Sequence, residues 1–224
     1  AVKVMSRILN VRGTVLPTTN DIATLNAVLS DGEIIRGESS ITKAGGVIDH
    51  VYITPSRVKP NEDVLKAIEE ADYIIMGPGS LYTSIIPNLV ISNVSEKIRE
   101  SKAKKIYVCN VMTQHGETDN YSVCDHIVAI NKHVEENIFD LVIANSREFD
   151  DSILSKYHKE KQEPVKIDHE KIEALGIKLI KNNDVGIVDN NTIRHNADKV
   201  SELIYDYIID DKPTMIYNKR WENK

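Results

Sequence analysis

The feature that most constrains the fold of this chain is the stretch Ala71–Leu89, which reads ADYIIMGPGSLYTSIIPNL. It begins with a short apolar run, Tyr73–Met76, whose length and β-branched residues are typical of a buried parallel strand. After a glycine-rich turn the pattern becomes helical. A buried strand that passes through such a turn into a helix is typical of α/β proteins with a parallel sheet.

The turn has few side-chain atoms, and its residues are Gly77, Pro78, Gly79 and Ser80. Because glycine lacks a side chain, backbone N–H groups at such a turn can approach a phosphate closely. The hydroxyl groups of Ser80 and Thr83 would lie at the start of the next helix and add hydrogen-bond donors. Turns that bind nothing show the same pattern, so these residues alone leave a phosphate site and a purely structural turn both open.

The composition excludes several classes of protein. Charged residues make up 28% of the chain and hydrophobic residues 41%, which is ordinary for a globular domain. A net charge of −6, without a stripe of lysine and arginine, argues against nucleic-acid binding. There is no CxxC motif, and neither a signal-peptide pattern nor a membrane-spanning apolar stretch. We therefore expect a cytoplasmic protein that binds neither nucleic acid nor membrane.

The N-terminal part of the sequence predicts a small antiparallel excursion. The segments Ala23–Leu29 and Glu33–Gly37 flank Asp31-Gly32, which is a strong signal for a two-residue hairpin. Val47–Thr54 would supply a further strand. The polar segment Glu38–Gly46 is predicted to be a loop, and we favour a plain connection over a mobile lid.

From Pro60 onward, helical and strand patterns alternate along the chain. Alternating units of this kind require parallel pairing with right-handed crossovers. The buried runs are predicted at Tyr73–Met76, Ile106–Cys109, Leu141–Ala144 and Ile177–Ile180. Residues 1–224 are therefore predicted to form a single α/β domain. Its architecture would be a three-layer sandwich with a mostly parallel Rossmann-like sheet and the small antiparallel hairpin.

Three predicted loops should meet at one edge of this sheet. Ligands bind beyond the carboxyl ends of parallel strands, so loops that follow such strands share one side of the molecule. The first loop follows a short predicted strand, Thr14–Leu16, and contains Pro17 and Thr18. The second is Gly77–Ser80, which we call the GPGS loop. The third is Asn110–Asn120, which we call the polar loop.

The polar loop carries hydroxyl, amide, imidazole and carboxylate groups on Thr113, Gln114, His115, Glu117, Thr118 and Asp119. Such a mixture of donors and acceptors suits the recognition of a sugar or a base. Two alternatives stay open. The loop can be a solvated connection in which Asp119 or Asn120 caps the next helix. Glu117 and Asp119 can also hold a Mg²⁺ ion carried by a nucleotide, because hard cations take carboxylate oxygens.

Arg194 is a candidate for binding a diphosphate. It precedes a predicted helix opened by Asn196, and a guanidinium beside free backbone N–H groups is a good diphosphate clamp. The alternative is a surface ion pair with Asp198 or Glu202. The local sequence leaves both open.

Four segments together resemble one known family: Asn10–Pro17, Gly77–Ser84, Met112–Asp119 and Ile193–His195. They are similar to the gluconeogenesis factors of the YvcK type, within the CofD superfamily. The resemblance covers essentially the whole chain. It implies a Rossmann-like fold and a cytoplasmic protein that binds UDP-sugars such as UDP-N-acetylglucosamine. It also implies a regulatory role in gluconeogenic growth, cell-wall metabolism and cell shape, without an established catalytic activity.

The resemblance and the motifs together give the expected ligand-binding set: Arg12, Pro17, Thr18, Gly77, Pro78, Gly79, Ser80, Thr83, Thr113, Gln114, Glu117, Thr118, Asp119 and Arg194. We expect a homodimer. An alternative from another class is a CofD-type transferase that moves 2-phospho-L-lactate onto a deazaflavin. The family also opens with a Gly-Gly-Gly-Thr-Gly loop that this sequence lacks, so we expect the N-terminal glycine-rich part of the family to be missing here.

Overall fold

A computed structural model of the protein describes residues 13–211. The first strands in the chain form a small antiparallel sheet in the order β2-β1-β3. Strand β1 lies at Thr24–Leu29, β2 at Ile34–Arg36 and β3 at Ile48–Thr54. This sheet confirms the predicted hairpin excursion. Val28 of β1 pairs with Ile34 of β2 directly beside the Asp31-Gly32 turn.

Two predictions in this part of the chain are wrong. The segment predicted as a loop contains a helix, α1, at Glu38–Ala44, which ends at Gly45 in the left-handed conformation. Ile41 of this helix is almost completely buried. The short strand predicted at Thr14–Leu16 does not form, and that part of the chain is attached instead through an isolated bridge between Thr19 and Pro60.

The rest of the described chain alternates between helices and strands. Its elements are α2 (Glu62–Glu70), β4 (Tyr73–Met76), a π-helical turn (Leu81–Ile85), α3 (Ile86–Leu89), α4 (Val94–Glu100), β5 (Lys104–Val108), α5 (Val123–Val134), β6 (Leu141–Asn145), α6 (Asp151–Lys159), α7 (His169–Ala174), β7 (Lys178–Asn182), β8 (Gly186–Asp189), β9 (Thr192–His195) and α8 (Ala197–Asp211). Strands β4 to β7 form one parallel sheet in the order β4-β5-β6-β7, and β8 and β9 form a separate hairpin.

Both faces of the parallel sheet are covered, which confirms the three-layer α/β prediction. On one face, Ile106, Leu141 and Ile143 lie in a core cluster with Tyr207 of α8. On the other face, Tyr107, Val142 and Ala144 pack in the main core with residues of α5 that include Ile127 and Ile130. Successive residues of a strand point to opposite faces, so the apolar runs Ile106–Val108 of β5 and Leu141–Ala144 of β6 reflect burial on both sides.

The start of α5 fixes the end of the polar loop. Ser122 is its N-cap, and the side chains of Ser122 and Asp125 form a reciprocal capping box. The alternative in which Asp119 or Asn120 caps this helix is therefore wrong. The Asp119 carboxylate instead accepts a hydrogen bond within the polar loop itself.

One buried histidine, His126, and two partly buried ones, His133 and His195, predict how the stability of the fold depends on pH. The His133 ring donates from Nδ1 to the Ala129 carbonyl at 2.7 Å, and its Nε2 accepts the Val51 N–H at 3.0 Å. This pattern requires a neutral ring, because a protonated Nε2 would face another N–H donor. Burial lowers the pKa of His126, His133 and His195 below the ordinary value.

We therefore expect stability to be complete above the unfolded histidine pKa of about 6.5 and to fall on acidification below it. In that window the unfolded chain binds more protons than the folded one. Each histidine contributes a slope of up to about 1.4 kcal/mol per pH unit. Urea titrations between pH 8 and pH 5.5 measure this slope. His133→Gln should flatten it, whereas replacement of the exposed His169 should not, and an equal slope in all three proteins would contradict the assignment.

Candidate functional site

The GPGS loop and the polar loop meet beyond the carboxyl ends of β4 and β5. The side chain of Asn110 joins them, because its Oδ1 accepts the Gly79 N–H at 3.2 Å and its Nδ2 donates to the Gly79 carbonyl at 2.9 Å. The Ser80 hydroxyl donates to Gln114 Oε1 at 2.7 Å. Residues from two strand ends are thus held as one unit.

Glu117 lies at the centre of this unit and is only 4% exposed. Its Oε1 accepts from the Thr83 hydroxyl at 2.8 Å, the Gln114 amide at 3.1 Å and the Thr42 hydroxyl at 3.2 Å. Its Oε2 accepts the Tyr82 N–H at 3.0 Å. One carboxylate therefore links α1, the π-helical turn and the polar loop, and its oxygens are occupied by protein donors.

Other members of the predicted set also serve the loop itself. The Thr118 hydroxyl, fully buried, accepts the Gln114 N–H at 2.9 Å. Thr113 is tied to Glu163 in both directions, through its own N–H at 2.7 Å and through its hydroxyl at 2.9 Å. Asp119 accepts from the Gly116 N–H at 2.8 Å and contacts His115 Nδ1 at 2.7 Å. These side chains therefore hold the polar loop in shape. Of the polar-loop residues in the predicted set, Gln114 lines a cavity.

A cavity of about 550 Å³ opens beside the two loops. It is lined by Glu38, Ser39, Thr42, Ser80, Thr83, Ser84 and Gln114, and we call it the hydroxyl cavity. Three of these residues come from α1 and were missed by the sequence analysis. The signal that could have found them is the spacing of Glu38, Ser39 and Thr42, which places them along one side of a helix.

A second cavity of about 350 Å³ lies on the other side of the GPGS loop, and we call it the apolar groove. Gly77, Pro78 and Gly79 line it together with Thr18 and with apolar residues of β4, α2 and α4. The Thr18 hydroxyl donates to the side chain of Asn88. The Pro17 carbonyl accepts from Asn61 Nδ2 at 3.1 Å. Thr18 thus lies beside the GPGS loop, although no strand precedes it in the described residues.

Two of the backbone N–H groups at the loop expected to bind phosphate already donate to protein acceptors. The Gly79 N–H is donated to Asn110 and the Tyr82 N–H to Glu117. The geometry of Gly77 has a structural reason, because its φ is +88° and a Cβ atom there would lie 2.6 Å from the Val108 carbonyl oxygen. Gly79 is different, since a Cβ atom would meet Ser84 Cβ at an ordinary 3.5 Å.

Arg194 lies on the β8–β9 hairpin and not on the parallel sheet. Its side chain is 63% exposed, and its Nε lies 3.9 Å from Asp189 Oδ2 across the hairpin. The predicted alternative partners, Asp198 and Glu202, are not the ones it contacts. The next residue, His195, turns the other way and its Nε2 donates to the Cys109 carbonyl at the end of β5, at 3.0 Å. Arg194 is therefore near the same sheet edge but is separate from the two joined loops.

The proposed metal ligands are already engaged. Glu117 and Asp119 both accept hydrogen bonds from protein donors. Across residues 13–211, no group of three or more His, Cys, Asp or Glu side chains could hold a metal ion. Arg12, the remaining member of the predicted set, lies outside the described residues.

Comparison with known proteins identifies the family. Residues 1–185 match the family described as 2-phospho-L-lactate transferase CofD. The chain belongs to the CofD family.

The relatives of this CofD-family chain include proteins named gluconeogenesis factor. The one from Halalkalibacterium halodurans is 48% identical over 200 residues, which are 89% of this chain and 62% of that protein. The one from Bacillus subtilis is 43% identical over 208 residues, 93% of this chain and 65% of that protein. The resemblance to the gluconeogenesis factors is thereby confirmed.

A crystal structure of protein BH3568 from Bacillus halodurans has the same fold. It superposes with a TM-score of 0.86 at 47% identity, over 90% of this chain and 64% of that one. The CofD-family chain thus spans between 62% and 65% of the length of these three relatives. No helix between residues 13 and 211 is both long and apolar enough to cross a membrane.

Proposed function

We propose that this chain forms part of a nucleotide-sugar site in a cytoplasmic regulatory protein of the gluconeogenesis-factor type. The ligand would be a UDP-sugar such as UDP-N-acetylglucosamine, and the regulated processes would be gluconeogenic growth, cell-wall metabolism and cell shape. The observation that carries the proposal is the hydroxyl cavity at the joined GPGS and polar loops. It lies where α/β sheets bind ligands, and its size and polar lining suit part of a nucleotide sugar.

A second candidate is the 2-phospho-L-lactate transferase reaction after which the family is described. The resemblance implies a deazaflavin as its acceptor. A deazaflavin ring is bound most readily by stacking on aromatic side chains. In the part of the chain that the structure describes, neither the hydroxyl cavity nor the apolar groove has an aromatic residue in its lining. The nucleotide-sugar proposal is therefore the better supported of the two.

The decisive experiment is isothermal titration calorimetry on the full-length protein with UDP-N-acetylglucosamine, GDP and the deazaflavin. The proposal expects saturable binding of UDP-N-acetylglucosamine and weaker binding of GDP. Binding of the deazaflavin together with GDP, without binding of the UDP-sugar, would favour the transferase instead.

Replacing Arg194 by alanine should weaken UDP-N-acetylglucosamine binding by about ten- to a hundredfold. A charge-assisted contact to a diphosphate is worth roughly 1.5–3 kcal/mol, whereas an exposed ion pair such as that with Asp189 contributes about 0–1 kcal/mol to stability. Arg194→Lys should restore part of the affinity, because it keeps the charge but not the planar fork. Arg36→Ala, on the exposed face of β2, is the matched control. Equal affinity in all four proteins would exclude Arg194 from the site.

Gly79→Val should weaken binding of the same ligand by about tenfold while the fold is retained. A Cβ atom at this position meets no atom closer than 3.5 Å, so the backbone conformation of the loop can stay unchanged. The added methyl groups would narrow the apolar groove that Gly79 lines, and with it the space for the part of the ligand outside the hydroxyl cavity. Circular dichroism checks the fold and calorimetry the affinity. Native-like spectra with unchanged affinity would mean that the GPGS loop is only a turn.

A further inference from the structure

We infer that the hydroxyl cavity takes the sugar of the nucleotide sugar and not its diphosphate, and that Glu38 selects for the sugar hydroxyl groups. This assignment rests on the proposed function and states which part of the ligand lies in which part of that site. It follows from the direction of the hydrogen bonds in the lining, the charge of the lining and the part that α1 contributes.

The direction of the hydrogen bonds can be worked out from Glu117. A carboxylate accepts only, so Thr42 and Thr83 must donate their single hydroxyl protons to it. The Gln114 side chain must likewise turn its NH₂ group toward Glu117, which points its Oε1 at Ser80. Ser80 must then donate its proton to that oxygen.

The three hydroxyls of Thr42, Ser80 and Thr83 therefore offer only lone pairs to anything that enters the cavity. Glu38, the charged residue of the lining, is also an acceptor when ionised. Ser39 and Ser84 add two hydroxyl groups that can also donate, so the lining is richer in acceptors than in donors. A phosphate group at neutral pH offers mainly acceptor oxygens and would find few partners here, whereas each sugar hydroxyl can donate a proton to the wall.

The charge of the lining leads to the same conclusion. Among residues 13–211, those that line the cavity include no lysine, arginine or histidine. The nearby Gly79 and Tyr82 N–H groups are donated to Asn110 and Glu117, so they do not compensate for that lack. A negative carboxylate facing a diphosphate would raise the cost of binding it. The neutral part of the ligand is the part that this cavity can accept.

Helix α1 supplies the wall of the cavity that would favour the sugar over the diphosphate. Ile41 anchors the helix in the core, and the Thr42 hydroxyl ties it to Glu117 at 3.2 Å. Glu38 and Ser39 lie one turn earlier at the cavity and are exposed. Substitution of these two residues should therefore leave the fold intact.

The test compares UDP-N-acetylglucosamine with UDP as calorimetric ligands of the full-length protein. Glu38→Ala should weaken UDP-N-acetylglucosamine by about tenfold, as expected for loss of a hydrogen bond to a charged acceptor, and leave UDP unchanged. Glu38→Lys should weaken the sugar nucleotide at least as much and bind UDP more tightly than the wild type does. Glu69→Ala, an exposed position on α2, is the matched control, and thermal melts verify that every variant is folded.

The outcomes separate this inference from the proposed function. If the wild type binds UDP-N-acetylglucosamine and Glu38→Ala weakens it and UDP equally, or weakens neither, the sugar is not in the hydroxyl cavity while the proposed function stands. If the folded wild type binds neither ligand, both are overturned. Selective loss of the sugar contribution supports the assignment.

Discussion

Glu117→Ala should lower the free energy of unfolding by about 2–4 kcal/mol, with a fall in Tm of roughly 5–15 °C. The substitution removes the common acceptor of Thr42, Tyr82, Thr83 and Gln114. Buried donors left without a partner cost about 1–3 kcal/mol each, and water entering from the hydroxyl cavity would satisfy some of them. Urea and thermal unfolding measure the change.

Two comparisons sharpen this prediction. Glu117→Gln keeps one carbonyl acceptor and the side-chain size, but its NH₂ group would face a donor, so an intermediate loss is expected. Glu69→Ala should stay within about 0.5 kcal/mol of the wild type, as is usual for exposed positions. Because Glu117 also orients Ser80 through Gln114, Glu117→Gln should weaken UDP-N-acetylglucosamine binding even where the protein remains folded. Stability of Glu117→Ala equal to the wild type would show that the carboxylate does not hold the loops.

The parallel sheet could be predicted because its signals are local. The run at Leu141–Ala144 is apolar on successive residues and buried throughout, as a strand covered on both faces must be. The run at Tyr73–Met76 has the same pattern, although it forms the end strand of the described sheet and its Ile75 is 47% exposed. Alternation with helices then restricts the topology to parallel pairing. The meeting of the GPGS and polar loops follows from the same rule, since both come after strands of this sheet.

Helix α1 could not be predicted because tertiary packing decides it. Ser39, Ser40 and Thr42 are weak helix formers, and the segment looks like a polar connection. What holds it helical is the burial of Ile41 and the bond from Thr42 to Glu117, a residue far away in sequence. The α1 wall of the hydroxyl cavity was therefore missed together with the helix.

The position of Arg194 was missed for a different reason. Asn190 and Asn191 have φ angles of +47° and +60° and form the turn between β8 and β9. Asparagine tolerates this conformation and is common in two-residue hairpin turns, so a signal was present in the sequence. The sequence analysis placed Arg194 only by the helix that follows it, so the hairpin that carries it was not predicted. This hairpin leaves the Arg194 side chain exposed and sets it beside Asp189, not beside Asp198 or Glu202.

Gly116→Ala should destabilise the protein by about 2–5 kcal/mol, because two costs coincide at this residue. Its φ is +83°, a conformation that costs an alanine about 1–2 kcal/mol. A Cβ atom would also lie 2.3 Å from the Thr42 carbonyl oxygen. Overpacking of this kind costs typically about 1–3 kcal/mol, and here it would push α1 away from the polar loop.

Gly45→Ala is the control that separates these two costs. Gly45 has a φ of +69°, and a Cβ atom there would meet nothing within 4 Å. Alanine at this position therefore loses stability only through the strained backbone conformation. The difference between the two variants in urea unfolding should therefore be about 1–3 kcal/mol and should report the contact with Thr42 alone. Since that contact positions the wall that carries Glu38 and Ser39, folded Gly116→Ala should also discriminate less between UDP-N-acetylglucosamine and UDP. Equal destabilisation by the two substitutions would mean that α1 adjusts freely, and the close packing of Gly116 on α1 would then have no part in shaping the hydroxyl cavity.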